Sequence, residues 1–270
     1  MRFPLSMRWL LAAIVLIVAA AVIIVSRAHQ PRRLAPLVAE FSGGGATLAL
    51  RRALLPAQTD MLRISVAPLA LPASASLDAI TAELSTALAY VSARTATTLS
   101  EPITITINTE ANCTLHGVAY TQNREVQVFT CAAIPSDRVV AILAHELVHQ
   151  LAHDYYGDAH LNSDPIVLEG WATWGAGHYW LSRHATFRDF LGGEAPLPLA
   201  ANHLGRPVAE MNTLYYQWAS FVEYLLVTYG REAFDRLYRS GNSTPGSADY
   251  QGVYGVDLAT LEAAWQEWLR

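Results

Sequence analysis

Apolar residues follow three patterns along this chain. The first is an unbroken run from Trp9 to Val25, WLLAAIVLIVAAAVIIV, with no charge inside it and Arg2, Arg8, Arg27, Arg32 and Arg33 around it. At about 1.5 Å per residue a helix there reaches about 25 Å, just short of the ~30 Å hydrocarbon core of a bilayer. The expectation is an N-terminal transmembrane helix over 1–26, acting as a signal anchor. A cleaved signal peptide is the alternative, although Ser26-Arg27-Ala28 makes a poor small-x-small cleavage site. Residues 27–52 carry Pro31, Pro36 and Gly43-Gly44-Gly45 with little apolar periodicity, which predicts a linker and leaves 53–270 for the folded domain.

Alternation is the second pattern. Arg63-Ile64-Ser65-Val66-Ala67, Ile103-Thr104-Ile105-Thr106-Ile107 and Glu125-Val126-Gln127-Val128-Phe129 each set apolar residues on one face, which predicts three strands. The third pattern has helical spacing. Leu77, Ile80, Leu84, Leu88 and Val91, after a capping Ser76, predict a helix reaching Leu99. Val139, Val140, Ile142, Leu143, Leu147, Val148 and Leu151 follow the start signal Pro135-Ser136 and predict a second helix ending near Gly157. Further helices are predicted at 165–181, 213–229, 231–240 and 257–269, separated by Pro- and Gly-rich connections at 192–207 and 241–247. Strands first and helices later give an α+β fold: a small mixed β-sheet packed on the helix that starts at Ser136, with a helical C-terminal half.

Composition narrows the function. The chain has 270 residues, 52% of them hydrophobic and 15% charged, enough to bury a core and too apolar for disorder. A net charge of −5 offers no basic footprint, so no nucleic-acid partner is expected. All 18 basic residues are arginine, which excludes Schiff-base and P-loop lysine chemistry. The two cysteines, Cys113 and Cys131, bracket a loop and a strand and are expected to bridge a hairpin, worth about 3 kcal/mol in an oxidising compartment. Two buried free thiols are the alternative. Anchor and cysteine pair together point to a single-pass protein of the cell membrane with its domain outside the cytoplasm.

The chemistry lies in His145-Glu146-Leu147-Val148-His149, an HExxH inside the helix that begins at Ser136. Histidines at i and i+4 share a face and can reach one metal ion, and the intervening glutamate points toward the place of an attacking water. A third ligand is needed. His153 lies about 12 Å along the helix axis from His145, too far to share an ion. His160, Asp158 and Asp164 are weak candidates in a loop. Glu169, in Leu168-Glu169-Gly170-Trp171-Ala172-Thr173-Trp174 on the next predicted helix, is the stronger one. Ala152 and Tyr155 stand where a metzincin would carry its glycine and third histidine, which excludes that branch.

HELVH followed by LEGWATW resembles the gluzincins, the thermolysin and aminopeptidase N type of zinc peptidase, and most closely the short bacterial peptidase MA-like domains. The resemblance covers roughly residues 60–270 and continues in Tyr215-Tyr216-Gln217-Trp218-Ala219-Ser220-Phe221-Val222 and in Tyr254-Gly255-Val256-Asp257-Leu258. It implies Zn²⁺ held by His145, His149 and Glu169, with Glu146 as general base. It also implies Tyr215 as donor to the oxyanion, Tyr216 taking that place if the register slips by one. Two departures stand out. No GxMEN-type strand motif precedes His145, which favours an endopeptidase, and Gly117-Val118-Ala119-Tyr120 with the strand at 125–129 would offer an edge to an extended peptide. Thr173 replaces the aspartate that lies four residues after the ligand glutamate in thermolysin. The function these features imply is a membrane-anchored, extracytoplasmic zinc endopeptidase acting on peptides or proteins. The alternative is a tethered, non-catalytic zinc- or peptide-binding module on the same fold.

Overall fold

The computed structural model describes residues 60–270. The helix expected over 1–26 and the linker over 27–52 lie outside the described residues. No helix among those described is long and apolar enough to cross a membrane.

The alternating segments form one four-stranded sheet: β1 (Leu62–Val66), β2 (Ile103–Thr109), β3 (His116–Tyr120) and β4 (Glu125–Thr130), in the spatial order β1-β2-β4-β3. β1, β2 and β4 run parallel, while β3 lies antiparallel to β4 on the outer edge. Ile103, Ile105 and Ile107 are buried and pair in register with Leu62, Ile64 and Val66, so one face of β2 faces the core, as alternation requires. β3 was not expected as a strand. Its HGVAY sequence does not alternate, and both Gly117 and Val118 are buried. A disulfide joins Cys113, ahead of β3, to Cys131, just past β4, with Cα atoms 5.1 Å apart.

The helices are α1 (Leu77–Thr95), α2 (Ser136–Tyr156), α3 (Pro165–Ala176), α4 (His178–Leu181), α5 (Phe187–Leu191), α6 (Val208–Tyr229), α7 (Arg231–Tyr238), α8 (Tyr250–Tyr254) and α9 (Leu258–Leu269). Three boundaries differ from the periodicity. α1 stops at Thr95, where Ala96 turns left-handed with φ 50°. The helix expected over 165–181 breaks at Gly177, φ +44°, because a Cβ there would lie 2.1 Å from the Tyr90 hydroxyl. α6 starts at Val208, five residues before the expected start at 213, and its first turn buries Met211.

α2 is the centre of the molecule. Every residue from Val139 to Ala152 is buried, so the helix is enclosed on all sides rather than along one stripe. α1, α3 and the β3–β4 hairpin pack around it. α3 packs closely on α6, and Gly170 allows this: a Cβ there would stand 2.7 Å from the Trp218 carbonyl oxygen. The connection at 192–207 is pinned to the helices. The Gln217 carboxamide accepts from Leu197 N–H at 3.2 Å and donates to its carbonyl at 2.6 Å, and Trp218 Nε1 donates to Leu199 O at 2.8 Å.

Candidate metal centre and cleft

α2 carries His145, Glu146 and His149 into the floor of a cleft of about 350 Å³, and α3 brings Glu169 to its wall. α3 is aimed by Asp164, whose carboxylate caps it through Ile166 N–H and also accepts from Gly246 N–H, Ala248 N–H and the Tyr250 hydroxyl. Asp164 is thus a knot between α3 and the 241–250 turn, not part of the cleft.

His145 Nε2 and His149 Nε2 lie 3.1 Å apart, and Glu169 Oε2 lies 3.2 Å from the first and 3.5 Å from the second. These three residues form a group able to hold a metal ion. His153, Asp158, His160 and Asp164 fall outside it. His145 and His149 side chains are 10% and 11% exposed and Glu169 is 15% exposed, so the donors open to the cleft without facing bulk water.

Electrostatics prepares the donors. Burial alone would raise the Glu169 carboxyl, but the His149 and His145 rings beside it hold it well below the usual carboxylate range, so it is ionised. Burial lowers His149, and the Glu169 and Glu146 carboxylates outweigh that and raise it. Glu146 goes the other way: burial pushes its carboxyl up, His145 and His149 pull it back, and Glu169 adds to the rise. Neighbouring carboxylates thus differ in character, one fixed as an anion and one poised nearer neutrality.

β3 fixes Glu146 from above. The Ala119 backbone N–H donates to its carboxylate. Gly117 crosses so close that a Cβ would meet Glu146 Cγ at 2.8 Å and Ile142 Cγ2 at 2.6 Å. Gly117, Val118, Ala119 and Tyr120 all line the cleft, with Leu168 and Trp180 on other walls. On the far side, Thr173 Oγ1 stands 3.4 Å from His145 Nδ1, one helical turn beyond Glu169. It sits where it accepts the Nδ1 proton when Nε2 gives its lone pair to a cation. A hydroxyl at this position is not legible as an orienting group where a carboxylate is the expected one. The i+4 spacing from Glu169 was the available signal.

Tyr215 lines the cleft, its ring centroid 6.1 Å from that of His145. Burial and then the Glu169 and Glu146 charges drive its hydroxyl well above the ordinary phenol range, so it stays a donor. Tyr216 instead packs its ring on Phe190, 4.7 Å between centroids, away from the cleft. His160 also lines the cleft and is kept neutral by burial, then by His149 and His153, against the pull of Glu169.

No protein-family model matches the chain, and no curated protein matches it.

Proposed function

We propose that this protein is a zinc-dependent endopeptidase of the gluzincin type, tethered by residues 9–25 with its domain outside the cytoplasm. The triangle of His145 Nε2, His149 Nε2 and Glu169 Oε2 carries the reading. Its edges of 3.1, 3.2 and 3.5 Å suit one face of a tetrahedron whose centre-to-donor distances are about 2.0–2.1 Å, for which each edge is about 3.3 Å. Two imidazoles and a carboxylate are the donor set of catalytic rather than structural zinc, and they leave a fourth position open. The disulfide adds support for the compartment.

Zinc bound there supplies Lewis acidity and makes a water acidic enough to lose its proton near neutral pH. Glu146, held by Ala119 N–H, takes the proton of the attacking water. Its raised affinity for that proton lets it deliver the same proton to the leaving amine. Tyr215 donates to the oxygen of the carbonyl under attack. The outer edge of β3 pairs with an extended peptide and sets the scissile bond over Glu146.

Metal content of the full-length protein, measured beside casein cleavage, tests this. The expected result is one zinc per chain with cleavage, zinc weakened in Glu169→Ala, and zinc retained in Glu146→Gln with cleavage reduced at least about 100-fold. A folded wild type without zinc would overturn the proposal. A zinc-loaded wild type that cleaves nothing would leave a binding module.

A further inference from the structure

A second concavity lies away from the candidate metal centre. The turn after β1 and the start of α1 meet Ala132, just past β4, around a groove of about 310 Å³. Its walls are apolar throughout, with Val66, Leu69, Leu71, Pro72 and Leu77 among them. The two stretches that converge there are also free of charge: none occurs from Ile64 to Leu77, or from Val126 to Ser136. Leu69 is 78% exposed and Leu77 51%, so the groove is flanked by two leucines that stand out in water.

Leu69 projects from a turn that is held in place. Its φ of 61° is left-handed, a conformation that a bulky side chain rarely adopts. Ala67 N–H donates to Ile107 O at 2.8 Å, and Thr109 Oγ1 donates to Pro68 O. Ala70, fully buried behind the turn, donates its N–H to Ala67 O at 3.2 Å. The backbone thus presents outward a side chain whose transfer out of water is favourable.

The rest of the chain says what this face meets. The uncharged run Trp9–Val25 is separated from the domain by residues 26–59. At up to about 3.3–3.6 Å per residue, that length lets any side of the domain reach a bilayer that holds the run. The side that rests there is then chosen by its own chemistry, and an uncharged apolar projection suits the boundary between headgroups and acyl chains. We propose that this face docks on the bilayer, with Leu69 and Leu77 entering that boundary. The groove and the cleft lie at opposite ends of β4: Ala132 follows its last residue, and Thr121–Asn123 precede its first, one strand length of about 20 Å away. Docked in this way, the domain keeps its cleft open to the aqueous side. The inference rests on the tether in the proposed function and not on the peptidase chemistry.

The test places the full-length protein in phosphatidylcholine nanodiscs, with the Cys113–Cys131 disulfide kept oxidised and a nitroxide attached at Leu69→Cys or, for comparison, at Gln122→Cys. Collision with oxygen, which concentrates in lipid, and with a water-soluble nickel chelate gives the depth of each label. The label at 69 is expected about 5 Å inside the headgroup boundary, and the label at 122 in water. High salt leaves the depth at 69 unchanged, because no charge takes part. Adding Leu77→Asp moves the label at 69 toward water, and the helix tolerates this change because an acid in its first turn suits its dipole. Nickel accessibility at 69 equal to that at 122, in chains that elute with the discs, overturns the inference alone. So does dipolar broadening between labels at 69, which would put a second copy of the chain on the groove. A chain that elutes apart from the discs removes the tether and this inference with it.

Discussion

On the proposed function, Thr173 does with a hydroxyl what a carboxylate would do more strongly. Its Oγ1 lies 3.4 Å from His145 Nδ1 and is neutral, so it would orient the ring without adding another negative charge beside Glu169. Thr173→Val keeps the shape and removes the acceptor. Zinc affinity, read by competition with a chelating dye, is expected to fall about tenfold, with Thr173→Ser retaining most of it. Tyr215 is the second residue whose role is separable from metal binding. Burial and two nearby carboxylates keep its hydroxyl protonated across the working pH range. Tyr215→Phe is expected to lower kcat about 100-fold while zinc content and KM change little, as steady-state kinetics beside metal analysis would show.

Strands and helices differ in how plainly they announce themselves. Gly117 in β3 gives the sharpest case, since any side chain there collides with Glu146 and Ile142 on α2. Gly117→Ala is expected to retain zinc and lose at least about tenfold in cleavage, because β3 lifts and takes the Ala119 N–H away from Glu146. Zinc analysis and kcat on the same preparation check it. The same glycine hid β3 from the sequence: a strand valued for close approach carries no alternation to read. β2 was legible because isoleucine and threonine alternate over one buried face, and α2 because its apolar residues recur around a clear start. The start of α6 was not read, although Val208 and Met211 continue its apolar spacing, because Glu210, Asn212 and Thr213 interrupt it with polar residues after a Pro- and Gly-rich connection. The break after α3 depends on Tyr90, a contact distant in sequence. Among the candidate site residues His145, Glu146 and His149 announced themselves by spacing, and Glu169 by the resemblance that its LEGWATW segment carries. Thr173 did not, because its meaning lies in a partner on another element.

At the scale of the whole molecule, the sheet and the central helix are tied by charge. Arg124, in the turn before β4, donates to Asp154 near the end of α2 at 2.6 and 3.1 Å, and Ser100 N–H and Gln150 Nε2 also donate to it. Burial would raise the Asp154 carboxyl, but these donors, Arg124 foremost, hold it below the usual carboxylate range. A depressed native pKa means that the stabilisation is complete above about pH 4 and is lost as pH falls through the lower native value. Asp154→Asn should therefore cost about 2 kcal/mol at pH 7, the difference shrinking as pH falls below the lowered native value, in urea unfolding followed across pH. The positions of the candidate ligands have a temporal consequence as well. His145 and Glu169 are 24 residues apart on consecutive helices joined by one short turn. Tyr215 arrives much later in the chain, and β3 must first cross over to the sheet edge. Closing the short loop loses less entropy than closing the long ones. During folding the candidate metal group therefore closes before the cleft is finished, and on the proposed function the capacity to cut is the last property the chain acquires.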